Sequence, residues 1–248
     1  MNPLWQPTVM PPMHLQIPRG ASIISYKLGD VTGDGFPDLV YLTAERQSDS
    51  PFLTNITLYV KFGRTNHIEM FRLPENVGYN PTIWLGDLTN DGVNDIFVVI
   101  DSGGSGAIIY AYIYSMQNGR IRNIFDSIKF NEQHGYKVQY EDHYKAAVFS
   151  SSPNKKYILD LQYKGEEYLN EIYHPNGTLI QPIEGWVDPL SALYPVDIGR
   201  NGKYGLLGLQ LIAGRYHADG LGYVENQLHW DGRTFSIVRQ SVAIPGEG

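Results

Sequence analysis

A ten-residue segment with the makings of a cation site occurs twice, as GDVTGDGFPD (29–38) and GDLTNDGVND (86–95). In the first copy Asp30, Thr32, Asp34 and Asp38 stand at positions 1, 3, 5 and 9 of a loop, with Gly35 at position 6. Asp87, Thr89, Asp91, Asp95 and Gly92 repeat those offsets. Oxygen-bearing side chains at alternate positions, with a glycine for a sharp turn, let a short loop wrap one hard cation. The backbone carbonyls of Phe36 and Val93, at position 7, complete the ligand set. Three carboxylates held this close repel one another unless a cation neutralises them. The competing reading is a polar turn, because Asp-Gly and Asn-Asp-Gly are common turn formers. Duplication at identical spacing favours calcium, one ion in each loop and two in all.

The elements around these loops are strands. DLVYL (38–42) and DIFVVI (95–100) are short β-branched and aromatic runs, and SIISYKLG and PTIWLG read the same way upstream. An EF-hand fails on two counts. It needs helices on both sides, and at position 12 it needs a bidentate Glu, where this chain has Tyr41 and Val98. Each loop therefore joins two strands of a hairpin.

Spacing extends this to the whole chain. The two loops begin 57 residues apart (87 less 30), and Gly-containing tight turns recur at Gly63, Gly119, Gly177 and Gly232, roughly 55 to 58 residues apart. Asn-Gly and Asp-Gly at such places are strong hairpin signals. In the first unit the strands are expected near 23–28, 38–42, 56–62 and 68–73, and in the second near 82–85, 96–100, 107–115 and 120–125. Four-stranded units repeating at this interval, without a sustained helical period, predict an all-β protein and a small β-propeller of four blades, or five. A two-sheet sandwich is the alternative, but it gives no reason for a regular period. The expected organisation is an N-terminal extension over 1–20 and one propeller domain over 21–248, with blades near 21–77, 78–133, 134–186 and 187–242.

The GDxTxDGxxD loop followed by an apolar strand resembles the FG-GAP or VCBS repeat, the propeller blade of integrin α-subunit heads and many bacterial surface proteins. The resemblance implies calcium between the first and second strands of a blade. Its ligands would be Asp30, Thr32, Asp34, Phe36 and Asp38 in one loop and Asp87, Thr89, Asp91, Val93 and Asp95 in the other. Both copies carry Thr at position 3, where that family has Asp or Asn. Later units are degenerate. SSSPNKKYILDL (150–161) has no acidic residue before Asp160, and DIGRNGKYGLLGL (197–209) keeps Asp197, Asn201 and Gly202 but has Gly199 and Gly205 at positions 3 and 9. The last is expected to keep its turn without an ion.

No catalytic constellation is assigned. The seven histidines form no close metal spacing, and GGSG (103–106) lacks the Gly-x-Ser-x-Gly order of a nucleophile elbow. Glu141, Asp142 and His143, and likewise His217 with Asp219, could do acid–base work, although a solvated turn is the plainer reading. Paired carboxylates over a channel would mark a polysaccharide-active enzyme. The loops offer Glu45, Asp49, Asp101, Glu166, Glu167 and Asp219, without a repeated placement. Trp84, Trp186 and Trp230 and the tyrosines of YAYIY (110–114) read as packing between units.

Composition agrees with a β-rich, non-nucleic-acid-binding protein. The 248 residues are 42% hydrophobic and 12% aromatic, with 18 Tyr, 26 Gly and 15 Pro. A formal charge of −7 without a basic block argues against a nucleic-acid partner. With no cysteine, disulfides, thiolate metal sites and cysteine nucleophiles are excluded. No membrane span is read, and the N-terminal residues lack a basic stretch followed by an apolar one, so no secretory signal is read. The compartment stays open among cell-surface, spore-associated, extracellular and cytoplasmic. The expected function is a non-catalytic, calcium-binding module or scaffold that engages a protein or glycan on the face opposite the calcium loops. A lectin and a polysaccharide-active enzyme are the alternatives.

Overall fold

The computed structural model describes residues 15–47 and 50–246. The N-terminal extension expected over 1–20 lies mostly outside them, as does Asp49. The protein is all-β, with fifteen strands among the described residues, in antiparallel sheets. Strands β1 (Ala21–Gly29), β2 (Asp38–Arg46), β3 (Leu53–Lys61) and β4 (Ile68–Arg72) form one four-stranded meander. A second consists of β5 (Tyr79–Gly86), β6 (Asp95–Asp101), β7 (Ile109–Gln117) and β8 (Arg120–Asp126). Each acidic decapeptide joins the first two strands of its meander, as expected.

Alternation along the strands explains why these sheets form. In β2, Val40, Leu42 and Ala44 enter the core shared with the second meander, while Leu39 and Tyr41 point to the other face, where Tyr59 and Leu15 cover them. Burial on both faces makes β2 read as a continuous apolar run. The β7–β8 turn places Asn118 and Gly119 at φ of 52° and 73°. Positive φ at both central residues is what a two-residue hairpin with right-twisted strands requires.

The second half departs from four separate four-stranded blades. Strands β9 (Tyr136–Glu141), β10 (Lys145–Ser151), β11 (Asn154–Asp160), β12 (Glu184–Val196), β13 (Gly205–Ala213), β14 (Gly220–Trp230) and β15 (Phe235–Ala243) form one seven-stranded sheet, ordered β11-β10-β9-β12-β13-β14-β15. The 13-residue β12 bridges it. Glu184 and Gly185 pair with β9, and pairing with β13 begins at Trp186. A side chain at Gly185 would collide with the Ala213 carbonyl oxygen, so this hand-over needs glycine. The segment 150–161, expected to be the third unit's loop, is instead the β10–β11 hairpin. Gly177 closes a small hairpin bridged by Tyr173 and Leu179, outside the sheets.

Packing between units is out of chain order. One core joins the first and second meanders, a second joins the second meander to β12–β15, and a third joins β9–β11 to β12–β15. The second unit thus packs on the fourth, where successive blades would have placed it on the third.

Two short helices interrupt the strands, α1 (Ser127–Gln133) and α2 (Glu166–Asn170), with a 3-10 turn at Gln162–Lys164. Helix α1 starts where the Asp126 carboxylate accepts the Ile128 amide at 3.0 Å, and it buries Phe130. Seven residues are too few to display a helical period in sequence. Among the described residues no helix is long and apolar enough to cross a membrane.

Candidate functional site

The acidic loops share a hydrogen-bonded frame. In the first, Asp30 Oδ1 accepts the amides of Thr32 (3.1 Å) and Gly33 (2.7 Å), and Oδ2 accepts that of Gly35 (2.8 Å). Asp34 Oδ1 accepts the Phe36 amide at 2.9 Å. In the second, Asp87 accepts the amides of Asp91 (3.1 Å) and Gly92 (2.9 Å), and Asp91 accepts that of Val93 (2.9 Å). The fourth unit repeats this although it lacks side chains at positions 3 and 9. Asp197 accepts Asn201 (3.2 Å) and Gly202 (2.9 Å), and Asn201 accepts Lys203 (3.1 Å). The recurring residues therefore specify the turn itself, with or without a full ligand set.

Position 9 acts differently from the rest. Asp38 is fully buried and accepts the amides of Val31 and Gly63, both at 2.9 Å, which ties the loop to the β3–β4 turn. Asp95, 1% exposed, accepts the amides of Leu88 (2.7 Å) and Thr89 (2.8 Å). Burial pushes the Asp95 carboxyl up to about 6, against the Ser115 hydroxyl and those two amides. Slight burial opposes ionisation of Asp30 too, but there the amides of Gly35, Gly33 and Thr32 win and hold it below the usual carboxylate range. Among the described residues no three His, Asp or Glu side chains are gathered as a metal ion would need. The position-9 carboxylates are engaged by buried backbone amides, and Asp34 and Asp91 each accept one loop amide through Oδ1.

The loops line up along one edge. Val93 packs on Gly33, and Asn94 donates from its amide (3.3 Å) and its Nδ2 (3.1 Å) to the Asp30 carbonyl, stitching the first loop to the second. Beyond the second loop, Asn90 faces Asn201, Lys203, Tyr204, His229 and Trp230 across a cleft of about 450 Å³. Tyr204 is held edge-on by Trp84, with ring centroids 5.4 Å apart, and Trp230 leans on Phe235. Sequence reading placed Trp84 and Trp230 in packing and assigned no role to Tyr204. The signal that could have found the cleft is the loss of ligands from the fourth loop.

The acid–base candidates are differently placed. Glu141 ends β9 and pairs with Lys156 at 2.8 Å, while Asp142 accepts the Leu179 amide in the β9–β10 turn. Asp101 accepts Asn80 Nδ2 at 3.1 Å, Glu45 lies on β2, and Glu166 and Glu167 open α2. Asp219 is the centre of a buried polar knot. Lys164 Nζ donates to it at 2.8 Å, Tyr168 at 2.8 Å, the Arg215 amide at 3.0 Å and Tyr140 at 3.4 Å. Burial opposes its ionisation, but Lys164, the Arg215 amide and Tyr168 outweigh that and hold it below the usual carboxylate range. Desolvation, Tyr140 and Asp219 push the Tyr168 hydroxyl far up, so it remains a donor. His217 rests instead on Asp188 (Nδ1 to Oδ2, 3.2 Å), a buried residue that sequence reading missed and that also accepts Trp186 Nε1 at 2.8 Å. Among the described residues no hydroxyl is hydrogen-bonded to His217. In the loop between β13 and β14, Arg215 and Asp219 are thus engaged in this knot, while Tyr216 keeps about half its surface exposed.

Comparison with known proteins gives a different kinship from the one the decapeptides resemble. The family model described as YybI C-terminal domain matches residues 134–243. The "Uncharacterized protein YybI" of Bacillus subtilis (strain 168) is 52% identical over 225 residues, covering 91% of this chain and 86% of that protein. No solved structure matches the chain. The resemblance to the FG-GAP or VCBS repeat of integrin heads is therefore set aside. It rested on two ten-residue loops that the matched span does not include, and their pattern follows from turn chemistry, as the fourth loop demonstrates.

Proposed function

The chain belongs to the YybI family, and we propose that it is a non-catalytic binding module whose Asp-Gly loops build one recognition edge, with calcium as a structural ion in the first two. The observation that carries this reading is the continuous edge, from the Gly63 turn through the three loops to the Gly232 turn, mounted on rigid sheets. Irregular segments held by a rigid scaffold are where recognition concentrates. Phe36 and Ile198 stand on that edge with about half their surface exposed. The edge takes the place of the opposite face as the partner surface.

Two features support calcium. Asp34 and Asp91 each use only Oδ1 within the loop, so Oδ2 is left to face a cation. The buried Asp95 binds a proton unusually well, and a metal ion would relieve the same uncompensated charge. The holders would be Asp30, Thr32, Asp34, the Phe36 carbonyl and Asp38, and likewise Asp87, Thr89, Asp91, the Val93 carbonyl and Asp95. The ion would supply charge neutralisation and stiffness, with no chemical step.

An array of glycans and peptides, probed with the protein and its Phe36→Ser and Ile198→Ser variants, tests the edge. A bound ligand should weaken at least tenfold in one variant, and equal binding by all three would remove the edge from the reading. Thermal melting tests the ion. Calcium at a hundredfold over its Kd stabilises by about 2.7 kcal/mol per site, or about 5–10 °C in Tm at this size. Asp34→Ala and Asp91→Ala should each remove part of that response. Melting curves indifferent to chelator and millimolar calcium would retire the ion and leave hydrogen-bonded turns.

A further inference from the structure

The fourth loop keeps the frame of the other two but has glycine at position 9. A side chain there is excluded: a Cβ on Gly205 would lie 2.5 Å from His229 Cδ2 and 2.8 Å from its Nε2. His229 follows Leu228, the cross-strand partner of Leu206, and its imidazole fills the room that a position-9 carboxylate would need. Position 7 carries Lys203 in place of Phe36 or Val93. The Lys203 ammonium and the His229 imidazole thus stand where the other loops carry apolar and carboxylate side chains, and both line the cleft beside the second loop.

From this exchange we propose that the cleft between the second and fourth loops is a binding site for a saccharide bearing carboxylates, one or two uronic-acid rings in size. This rests on the reading of the loop edge as a recognition surface and names what one part of it takes. The volume of about 450 Å³ is that of a small-ligand site. Tyr204 and Trp230 supply aromatic faces for the C–H side of a sugar ring, and each is braced by a second aromatic ring. Asn90 and Asn201 are amides at the rim, and an amide offers donor and acceptor together, the pair that vicinal hydroxyls match. Lys203 is exposed and takes part in no salt bridge among the described residues, and no carboxylate lines the cleft. The neighbouring Asp197 and Asp231 accept amides of their own turns. On a chain of net charge −7, an anionic ligand meets a cation here without an opposing acid in the wall. An acidic peptide would satisfy Lys203 but leave the stacked rings and paired amides without a specific use.

Titration calorimetry with tetragalacturonate and with its methyl ester decides the matter, because the two share rings and hydroxyls and differ in charge. The acid should bind, and the ester at least tenfold more weakly. Lys203→Met, an exposed substitution that leaves the core untouched, should reduce binding of the acid about tenfold while sparing the ester. Trp230→Ala should weaken both, with circular dichroism checking its fold, since Trp230 also supports Phe235. Failure of the acid to bind at millimolar concentration, equal affinity for acid and ester, or wild-type affinity in Lys203→Met would each overturn the proposal. So would an acidic peptide that outcompetes the saccharide. A ligand lost in Phe36→Ser but untouched by Lys203→Met would remove the cleft and leave the recognition edge standing.

Discussion

Replacing Lys164 by Met should cost more stability than replacing its partner Asp219 by Asn, although each breaks the same 2.8 Å ion pair. The asymmetry comes from exposure. The Lys164 side chain is 18% exposed and also donates to the Gly220 carbonyl at 3.1 Å, so its ammonium reaches water when the carboxylate is gone. The Asp219 side chain is 1% exposed and has no such escape. Stranding a buried charge costs about 3–5 kcal/mol. Tyr168, the Arg215 amide and the Arg215 guanidinium at 3.7 Å remain on the carboxylate, which places Lys164→Met near the lower end, about 3 kcal/mol. At this chain length that lowers Tm by about 6–12 °C. Asp219→Asn should cost about 1–2 kcal/mol, the scale of a lost charged hydrogen bond. The double variant should recover part of the Lys164→Met loss, because no charge is then buried alone. The pH dependence has a definite sign. With its folded pKa depressed, Asp219 stabilises the wild type above the ordinary carboxylate range near pH 4, and that contribution fades as pH falls through the lower folded value. In Lys164→Met burial is left to dominate, so its deficit should shrink on acidification toward pH 4, as protonation relieves the stranded charge. Urea unfolding of the four proteins at pH 7 and pH 4.5 reads all of this. A Lys164→Met loss no larger than that of Asp219→Asn, or strict additivity in the double variant, would refute the reasoning.

Two further substitutions probe the fold by urea or thermal unfolding. Asp126→Ala removes the cap of α1 and should cost about 1 kcal/mol, with no effect on calcium response. Asn226 is fully buried and bonds Gln210 Oε1 at 3.0 Å and Gln240 Nε2 at 2.8 Å; both keep the Tyr136 hydroxyl as a second partner, so Asn226→Ala removes two buried hydrogen bonds without orphaning either amide and should cost about 1–3 kcal/mol. A loss below 1 kcal/mol would mean that water replaces it.

The first two meanders were legible strand by strand, with ends displaced by up to four residues, as where β2 runs on to Arg46. Their strands alternate or run apolar, and their turns carry Asp-Gly or Asn-Gly, so local chemistry determines local structure there. The second half was not legible, for a physical reason. The interval between Gly119, Gly177 and Gly232 looks regular, yet Gly177 turns a small hairpin outside the sheets, and the unit boundary falls inside the continuous strand β12. Nothing at Gly185–Trp186 signals that pairing passes from β9 to β13, because a long-range exchange of partners leaves no local pattern. The polar knot at Asp219 was hidden likewise, its members lying 51 to 79 positions away at Tyr168, Lys164 and Tyr140. At the loops, residue type correctly announced a turn, while the inward rotation of Asp38 and Asp95 depended on amides that only the folded hairpins present.

Strand β12 has a consequence for inheritance. A strand that belongs to two groups of partners cannot be cut between them without exposing two raw edges, so β9–β11 and β12–β15 must be duplicated, lost or exchanged together. The first meander is attached to the second by side-chain packing and by the Asn94 stitch, with no shared strand, and could be gained or discarded as a piece. The span that the family model covers, 134–243, has the limits that this indivisibility imposes: it opens just before β9 and closes with β15.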